Sequence, residues 1–285
     1  MSYQELCQRL SNVYPQGEAQ AVVRTVLDMR FGLSLTDIYT GKVNELSSED
    51  AAELEKIMLR LEQAEPVQYV LGEAEFLNRT FRVEPGVLIP RPETEVLCRW
   101  IASDCNRPYC ALQPPAPLQI LDVGTGSGCI AVSLSLDIPN SEVTAWDISG
   151  DALLIARNNA ISLGASVNFQ LQDALSAPEN AHSVDIIVSN PPYICDYERK
   201  DMARNVLDFE PETALFVPDD NPLLFYRAIA EYGTEALRKG GALYFETNPL
   251  HIDAVVDMMK VLGYSLIEMR EDQFGKRRFT KAIML

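Results

Sequence analysis

Apolar positions in the first quarter of the chain recur at helical spacing. Ala19, Val22, Val23, Val26 and Leu27 make one stripe, and Leu54, Ile57, Met58 and Leu61 make a second. Ser47-Ser48-Glu49-Asp50 ahead of the second stripe reads as a capping box, and Pro66 is expected to end that helix. From residue 76 to 92 the pattern shortens to alternation with turn residues, as in Thr80-Phe81-Arg82-Val83 before Pro85-Gly86, which suits a hairpin. Pro90 and Pro92 then bracket Arg91, and Glu93-Thr94-Glu95 opens a helix running through Trp100 and Ile101. Residues 106–117, with Pro108, Pro114, Pro115 and Pro117, read as a loop.

Beyond the loop, strands and helices alternate. Residues 118–123, 142–146, 168–171, 185–189 and 242–246 are extended; residues 129–134, 151–163 and 251–262 are helical. Such alternation implies an α/β fold whose mostly parallel sheet is covered on both faces. Residues 265–269 and 278–284 are expected to pair antiparallel at one edge. The division this predicts is an all-α region over 1–72, a hairpin connector over 73–92 and an α/β domain over 93–285. The helical region contains no phosphate loop, metal cluster or nucleophile setting. It is open to two readings, a structural bundle or a module that recognises a macromolecular partner.

At 285 residues with 47% hydrophobic content, the chain can bury a substantial core. The formal net charge of -17 changes the picture more, because a phosphate backbone would be repelled over most of such a surface. A basic cluster at Lys276, Arg277 and Arg278 leaves nucleic acid disfavoured as a partner, not excluded. Cys7, Cys98, Cys105, Cys110, Cys129 and Cys195 include no C-x-x-C pair, and only His182 and His251 could add imidazole. On those spacings no metal is expected, and the thiols read as free in a reducing compartment. The polar N-terminal stretch and the lack of ~20 uninterrupted apolar residues point to a cytoplasmic protein.

Asp122-Val123-Gly124-Thr125-Gly126-Ser127-Gly128 lies between a strand and a helix, where glycine permits a tight turn and close approach of a ligand. Asp147 ends the next strand, placed to accept both hydroxyls of a ribose. A dinucleotide would call for a third glycine one residue later, where Cys129 stands. S-adenosylmethionine carries an ammonium and a sulfonium instead of a pyrophosphate, and Asp122 suits it better. Asp173 could accept from an adenine amino group with Ala174 beside the ring; a helix N-cap aspartate is the other reading.

Asn190-Pro191-Pro192-Tyr193 closes the strand at 185–189, on the side of a parallel sheet where ligands gather. An amide or ring-conjugated amino nitrogen is a poor nucleophile because its lone pair is delocalised. The Asn190 side-chain oxygen and the Pro191 carbonyl can accept both its N–H groups and favour charge developing on it. Prolines 191 and 192 stiffen the loop without competing donors, and Tyr193 offers a face to a planar group. No strong general base stands in the motif. Glutamine amide, adenine N6, cytosine N4 and guanine N2 all satisfy this chemistry.

Gln68-Tyr69-Val70-Leu71-Gly72, Leu88-Ile89-Pro90-Arg91-Pro92-Glu93-Thr94-Glu95, the glycine loop and Ser189 to Tyr193 together closely resemble the release-factor glutamine methyltransferases (the HemK/PrmC type). Glu210-Pro211 with Ala214-Leu215, and Arg270-Glu271-Asp272 with Gly275 and Arg278, carry the likeness to the C-terminus. The resemblance implies a Rossmann-like class I methyltransferase sheet with an antiparallel edge strand, preceded by a helical domain that docks on a class 1 peptide chain release factor. It implies S-adenosylmethionine as cofactor, S-adenosylhomocysteine as its product, and N5-methylation of the glutamine in that factor's Gly-Gly-Gln motif. A ribosomal-protein glutamine methyltransferase, a nucleic-acid base methyltransferase and a non-catalytic nucleotide-binding protein are the other readings. Thr247-Asn248, where the family usually has an apolar residue and glycine, and Ala174, where a larger side chain is common, depart from the pattern. Arg91 and Glu93 are open to two roles, shaping the pocket or forming a structural ion pair.

Overall fold

The computed structural model describes residues 1–106, 116–179 and 182–285. Most of the expected loop at 106–117, with Cys110, lies outside them. Contacts divide the chain into two compact units, Met1–Glu73 with Met202–Phe209, and Ala74–Asp201 with Glu210–Leu285.

The first unit is helical: α1 (Tyr3–Leu10), α2 (Gln16–Phe31), α3 (Leu35–Tyr39), α4 (Ser48–Leu61) and α5 (Val67–Leu71). The two stripes read from sequence lie on α2 and α4 and meet in one core, where Val26, Leu27, Met58 and Leu61 are fully buried. Ser47 caps α4 by accepting from Asp50 N at 3.0 Å, which satisfies one of the four unpaired donors of the first turn. Arg9 reaches from α1 to Glu55 of α4 and to Glu62, its C-cap, at 2.6 Å each. Pro66 departs from expectation. Helix α4 already stops at Leu61, and Pro66 is the N-cap of α5, where a missing N–H costs nothing.

The second unit opens within the hairpin of β1 (Glu73–Phe76) and β2 (Arg79–Arg82), whose Phe76 and Phe81 are buried in the main core. Helix α6 (Pro92–Cys105) follows, with Pro92 in its first turn. Then come β3 (Leu118–Val123), α7 (Cys129–Asp137), β4 (Ser141–Asp147), α8 (Gly150–Leu163), β5 (Val167–Leu171) and β6 (Val184–Ser189). After the short strand β7 (Ile194–Cys195), helix α9 (Arg204–Phe209) groups with the first unit. The chain returns through β8 (Phe216–Val217), α10 (Leu224–Ala236), β9 (Leu237–Glu246), α11 (Ile252–Val261), β10 (Tyr264–Glu271) and β11 (Arg277–Met284).

Seven strands form one sheet in the order β10-β11-β9-β6-β3-β4-β5. Strands β9, β6, β3, β4 and β5 are parallel, while β11 runs antiparallel to β9 and β10 antiparallel to β11. This is the expected mostly parallel sheet with an antiparallel edge. Its central strands β3 and β6 are buried on both faces because helices cover both sides. Strand β9 begins five residues before the apolar run at 242. Leu237 pairs with Val184, and a register shift carries the chain past the polar residues between.

Chain order runs outward from β3 through β4 to β5 and then crosses to β6 on the other side of β3. That reversal opens a crevice beyond the carboxyl ends of β3 and β6.

Candidate active site

The parallel register sets the motifs side by side. Val123 pairs with Trp146 on β4 and with Ser189 on β6, and Ser189 pairs with Phe245 on β9. The residues that follow these partners, Gly124, Asp147, Asn190 and Glu246, therefore emerge from four strand ends in one row. The structure brings together the glycine loop, Asp147 and Asn190, far apart in sequence.

The loop is strapped down by backbone bonds. Gly124 and Thr125 N–H both donate to the Trp146 carbonyl at 2.9 Å, and Gly126 N donates to Asp147 Oδ2 at 2.8 Å. Gly126 has φ 54, and open space lies where a side chain would project, so the backbone can lie directly against a ligand. Gly128 is required by packing: with φ 82, an added Cβ would come within 2.9 Å of Ala156 Cβ on α8. Ser127 is buried behind the loop. Its carbonyl accepts from Asn159 Nδ2 at 2.8 Å, and the same amide brackets the Arg82 backbone of the hairpin at 2.7 and 3.0 Å.

Three carboxylates stand at the carboxyl ends of β3, β4 and β5. Asp122 is 0% exposed. Its Oδ2 accepts from Thr125 Oγ1 at 2.7 Å and Ala131 N at 3.2 Å, while Oδ1 has no hydrogen-bond partner among the described residues. Burial pushes its pKa up to about 7. Asp147 is also pushed upward by burial, against the opposing donation of Ser149 and Gly126 N–H. Asp173 accepts from Leu175 N at 2.8 Å as the N-cap of a short turn over Ala174–Ser176. The capping role is thus realised, and Ala174 packs beside the second core cluster.

S-adenosylmethionine fits these residues. An ammonium would give the buried Asp122 oxygen the donor it lacks. Asp147 is held by two backbone N–H groups with acceptor capacity left for hydroxyls, and the open backbone at Gly126 admits close approach.

On the other side of β3, Asn190 donates through Nδ2 to Thr94 Oγ1 at 3.4 Å. The Thr94 hydroxyl donates to Glu246 Oε2 at 2.7 Å, and Tyr193 Oη donates to Glu246 Oε1 at 3.2 Å. Arg278 stands over Tyr193 Oη at 3.4 Å and is itself held by Asp272 at 2.9 Å. Burial raises the pKa of Glu246 and of the Tyr193 phenol. Pro191 is buried and Pro192 half-buried, consistent with a stiff loop. Arg91 pairs not with Glu93 but with Glu210 at 2.6 Å, and Glu210 also accepts from Ile89 N at 3.1 Å.

Thr94, Glu246 and Arg278 were not singled out for this role by sequence reasoning. Glu246 left one signal, a carboxylate closing the otherwise apolar run at 242–246.

Comparison with known proteins places this geometry. Residues 2–72 match the PrmC N-terminal domain family and residues 110–209 the methyltransferase small domain family. The T. thermophilus 16S rRNA N2 G1207 methyltransferase, solved with AdoMet and guanosine, superposes with a TM-score of 0.52 at 18% identity. That match covers 75% of this chain and 50% of the other, and it shows a shared fold. The release factor glutamine methyltransferase of Flavobacterium psychrophilum is 36% identical over 97% of this chain and 96% of its own length. The release factor glutamine methyltransferase of Bacteroides thetaiotaomicron is 47% identical over 96% of both chains. The chain belongs to the release factor glutamine methyltransferase family.

Proposed function

We propose that this chain methylates the side-chain N5 of the glutamine in the Gly-Gly-Gln motif of class 1 peptide chain release factors, with S-adenosylmethionine as donor, in the cytoplasm. The observation that carries the reading is the row of strand ends on which Asn190 stands beside the glycine loop. The family's names supply the substrate.

In this reading Gly124, Thr125, Gly126, Ser127 and Gly128 line the cofactor, and Asp147 takes its ribose. Asp122 faces the ammonium, and Asp173 with Ala174 borders the adenine. The bound cofactor supplies a methyl group made electrophilic by its sulfonium. Asn190 Oδ1 and the Pro191 carbonyl accept the two amide N–H bonds, fixing the nitrogen in line and favouring the positive charge it gains. Pro192 keeps this turn rigid, and the Tyr193 ring stacks on the flat amide. The nitrogen's proton is lost to water. Residues 1–72 recognise the release factor, residues 73–92 connect, and residues 93–285 carry the chemistry. Nucleic acid is not the substrate, in keeping with the net charge of -17. Among the described residues no helix is long and apolar enough to cross a membrane.

Incubation with labelled S-adenosylmethionine and, in parallel, purified release factor, ribosomal proteins, DNA or RNA tests the assignment. Label is expected in the release factor alone. Label in nucleic acid or a ribosomal protein and none in release factor would overturn it.

A further inference from the structure

Two residues past Tyr193, Cys195 is 0% exposed at the end of β7. Its Sγ lies 3.6 Å from Nε2 of His251, the residue that opens α11. A Glu198 carboxylate oxygen completes the group, with all three ligand atoms within 4.8 Å of one another. Zinc bonds of about 2.3 Å to sulfur and about 2.0 Å to nitrogen, at a tetrahedral angle, put those two atoms about 3.6 Å apart. The thiol and imidazole already stand at that separation.

Glu198 is not loose. Its Oε1 accepts from Cys195 N at 2.9 Å and from Asn248 Nδ2 at 3.0 Å, and Oε2 lies 3.2 Å from the same amide. The Tyr197 hydroxyl lies 3.4 Å from the same His251 Nε2, a contact that a metal would replace, while Cys195 N and Asn248 Nδ2 hold the carboxylate beside it. Outer donors that orient a ligand carboxylate are the usual support of a metal site. Asn248 Nδ2 also donates to the Tyr193 carbonyl at 3.1 Å.

We propose that Cys195, Glu198 and His251 bind one zinc ion, with water in the fourth position. One sulfur, one imidazole nitrogen and one carboxylate oxygen make a donor set suited to zinc over magnesium or calcium. On binding, the Cys195 thiol proton leaves to water and the thiolate takes its place on the metal. The ion clamps the segment after Tyr193 to the junction of β9 and α11. The C-x-x-C arithmetic of the sequence missed it because the ligands come from two segments more than fifty residues apart.

The full chain, stripped with chelator and desalted, is titrated with zinc chloride against a chromophoric chelator, and with cobalt in parallel. One equivalent of zinc per chain and a thiolate-to-cobalt charge-transfer band are expected. Cys195→Ser abolishes the band and His251→Ala weakens zinc binding about a hundredfold. Asn248→Ala weakens it about tenfold, and Cys7→Ser changes nothing. If Cys195→Ser does not fold, the partly exposed His251→Ala decides. No stoichiometric zinc uptake by the unaltered chain overturns the proposal, as does unchanged affinity in His251→Ala.

Discussion

In the proposed reaction Asn190 presents its side-chain oxygen to the substrate, while its amide nitrogen is engaged by Thr94. The Thr94 hydroxyl spends its proton on Glu246 and so accepts from Asn190 Nδ2, which fixes the amide by its nitrogen. Glu246→Gln puts an amide where two hydroxyls donate. With the proposed reaction, kcat is expected to fall about tenfold to a hundredfold while the cofactor Kd holds; an unchanged kcat in single-turnover assays would remove Glu246 as a positioning residue. The sequence drew attention to Asn190 because a motif surrounds it, and not to Thr94 and Glu246 because 152 residues separate partners that only the fold joins. Asp122 makes a second residue-scale prediction. Its carboxyl ionises near 3.8 in the unfolded chain and at about 7 when folded. Between those values the folded state holds the extra proton, so stability falls as pH rises through the window and levels off above it. The full effect is on the order of 4 kcal/mol. Thermal or urea unfolding from about pH 4 to 8 is expected to show a steeper loss for the unaltered chain than for Asp122→Asn. Equal slopes would count against the assignment.

At the scale of elements, Asn159 on α8 is the joint between the hairpin and the glycine loop. Asn159→Ala leaves the Arg82 N–H, the Arg82 carbonyl and the Ser127 carbonyl short of a partner. The expected loss is about 3 kcal/mol of unfolding free energy, with weaker cofactor binding, read by urea denaturation and calorimetry. A variant as stable as the parent would mean that the hairpin does not brace the loop. The elements themselves were largely legible. Parallel strands buried on both faces leave long apolar runs, and the antiparallel pairing expected of residues 265–269 and 278–284 is realised in β10 and β11. Boundaries were less so. Strand β9 reaches back across Arg238 and Lys239 because pairing with β6, supported by Arg238 and Asp185 at 2.6 Å, outweighs local polarity. Pro66 was misread as a stop because a helix that stops before a proline and one that starts after it look alike in sequence.

For the whole molecule, the strand order explains why loops far apart in sequence share one crevice, and motif spacing alone could not show that crossover. The acidic surface and the family membership point the reaction toward a protein amide. The same Asn-Pro-Pro-Tyr chemistry would serve a nucleobase, so substrate identity rests on the chain as a whole and not on the motif. The most direct measurement is peptide mass spectrometry of a class 1 release factor after incubation with this protein and S-adenosylmethionine. One methyl group on the side-chain nitrogen of the Gly-Gly-Gln glutamine is expected, and with Asn190→Ala it should be formed at least about a hundredfold more slowly. A release factor left unmodified under conditions where the protein binds its cofactor, or methylated at any other residue, would contradict the account.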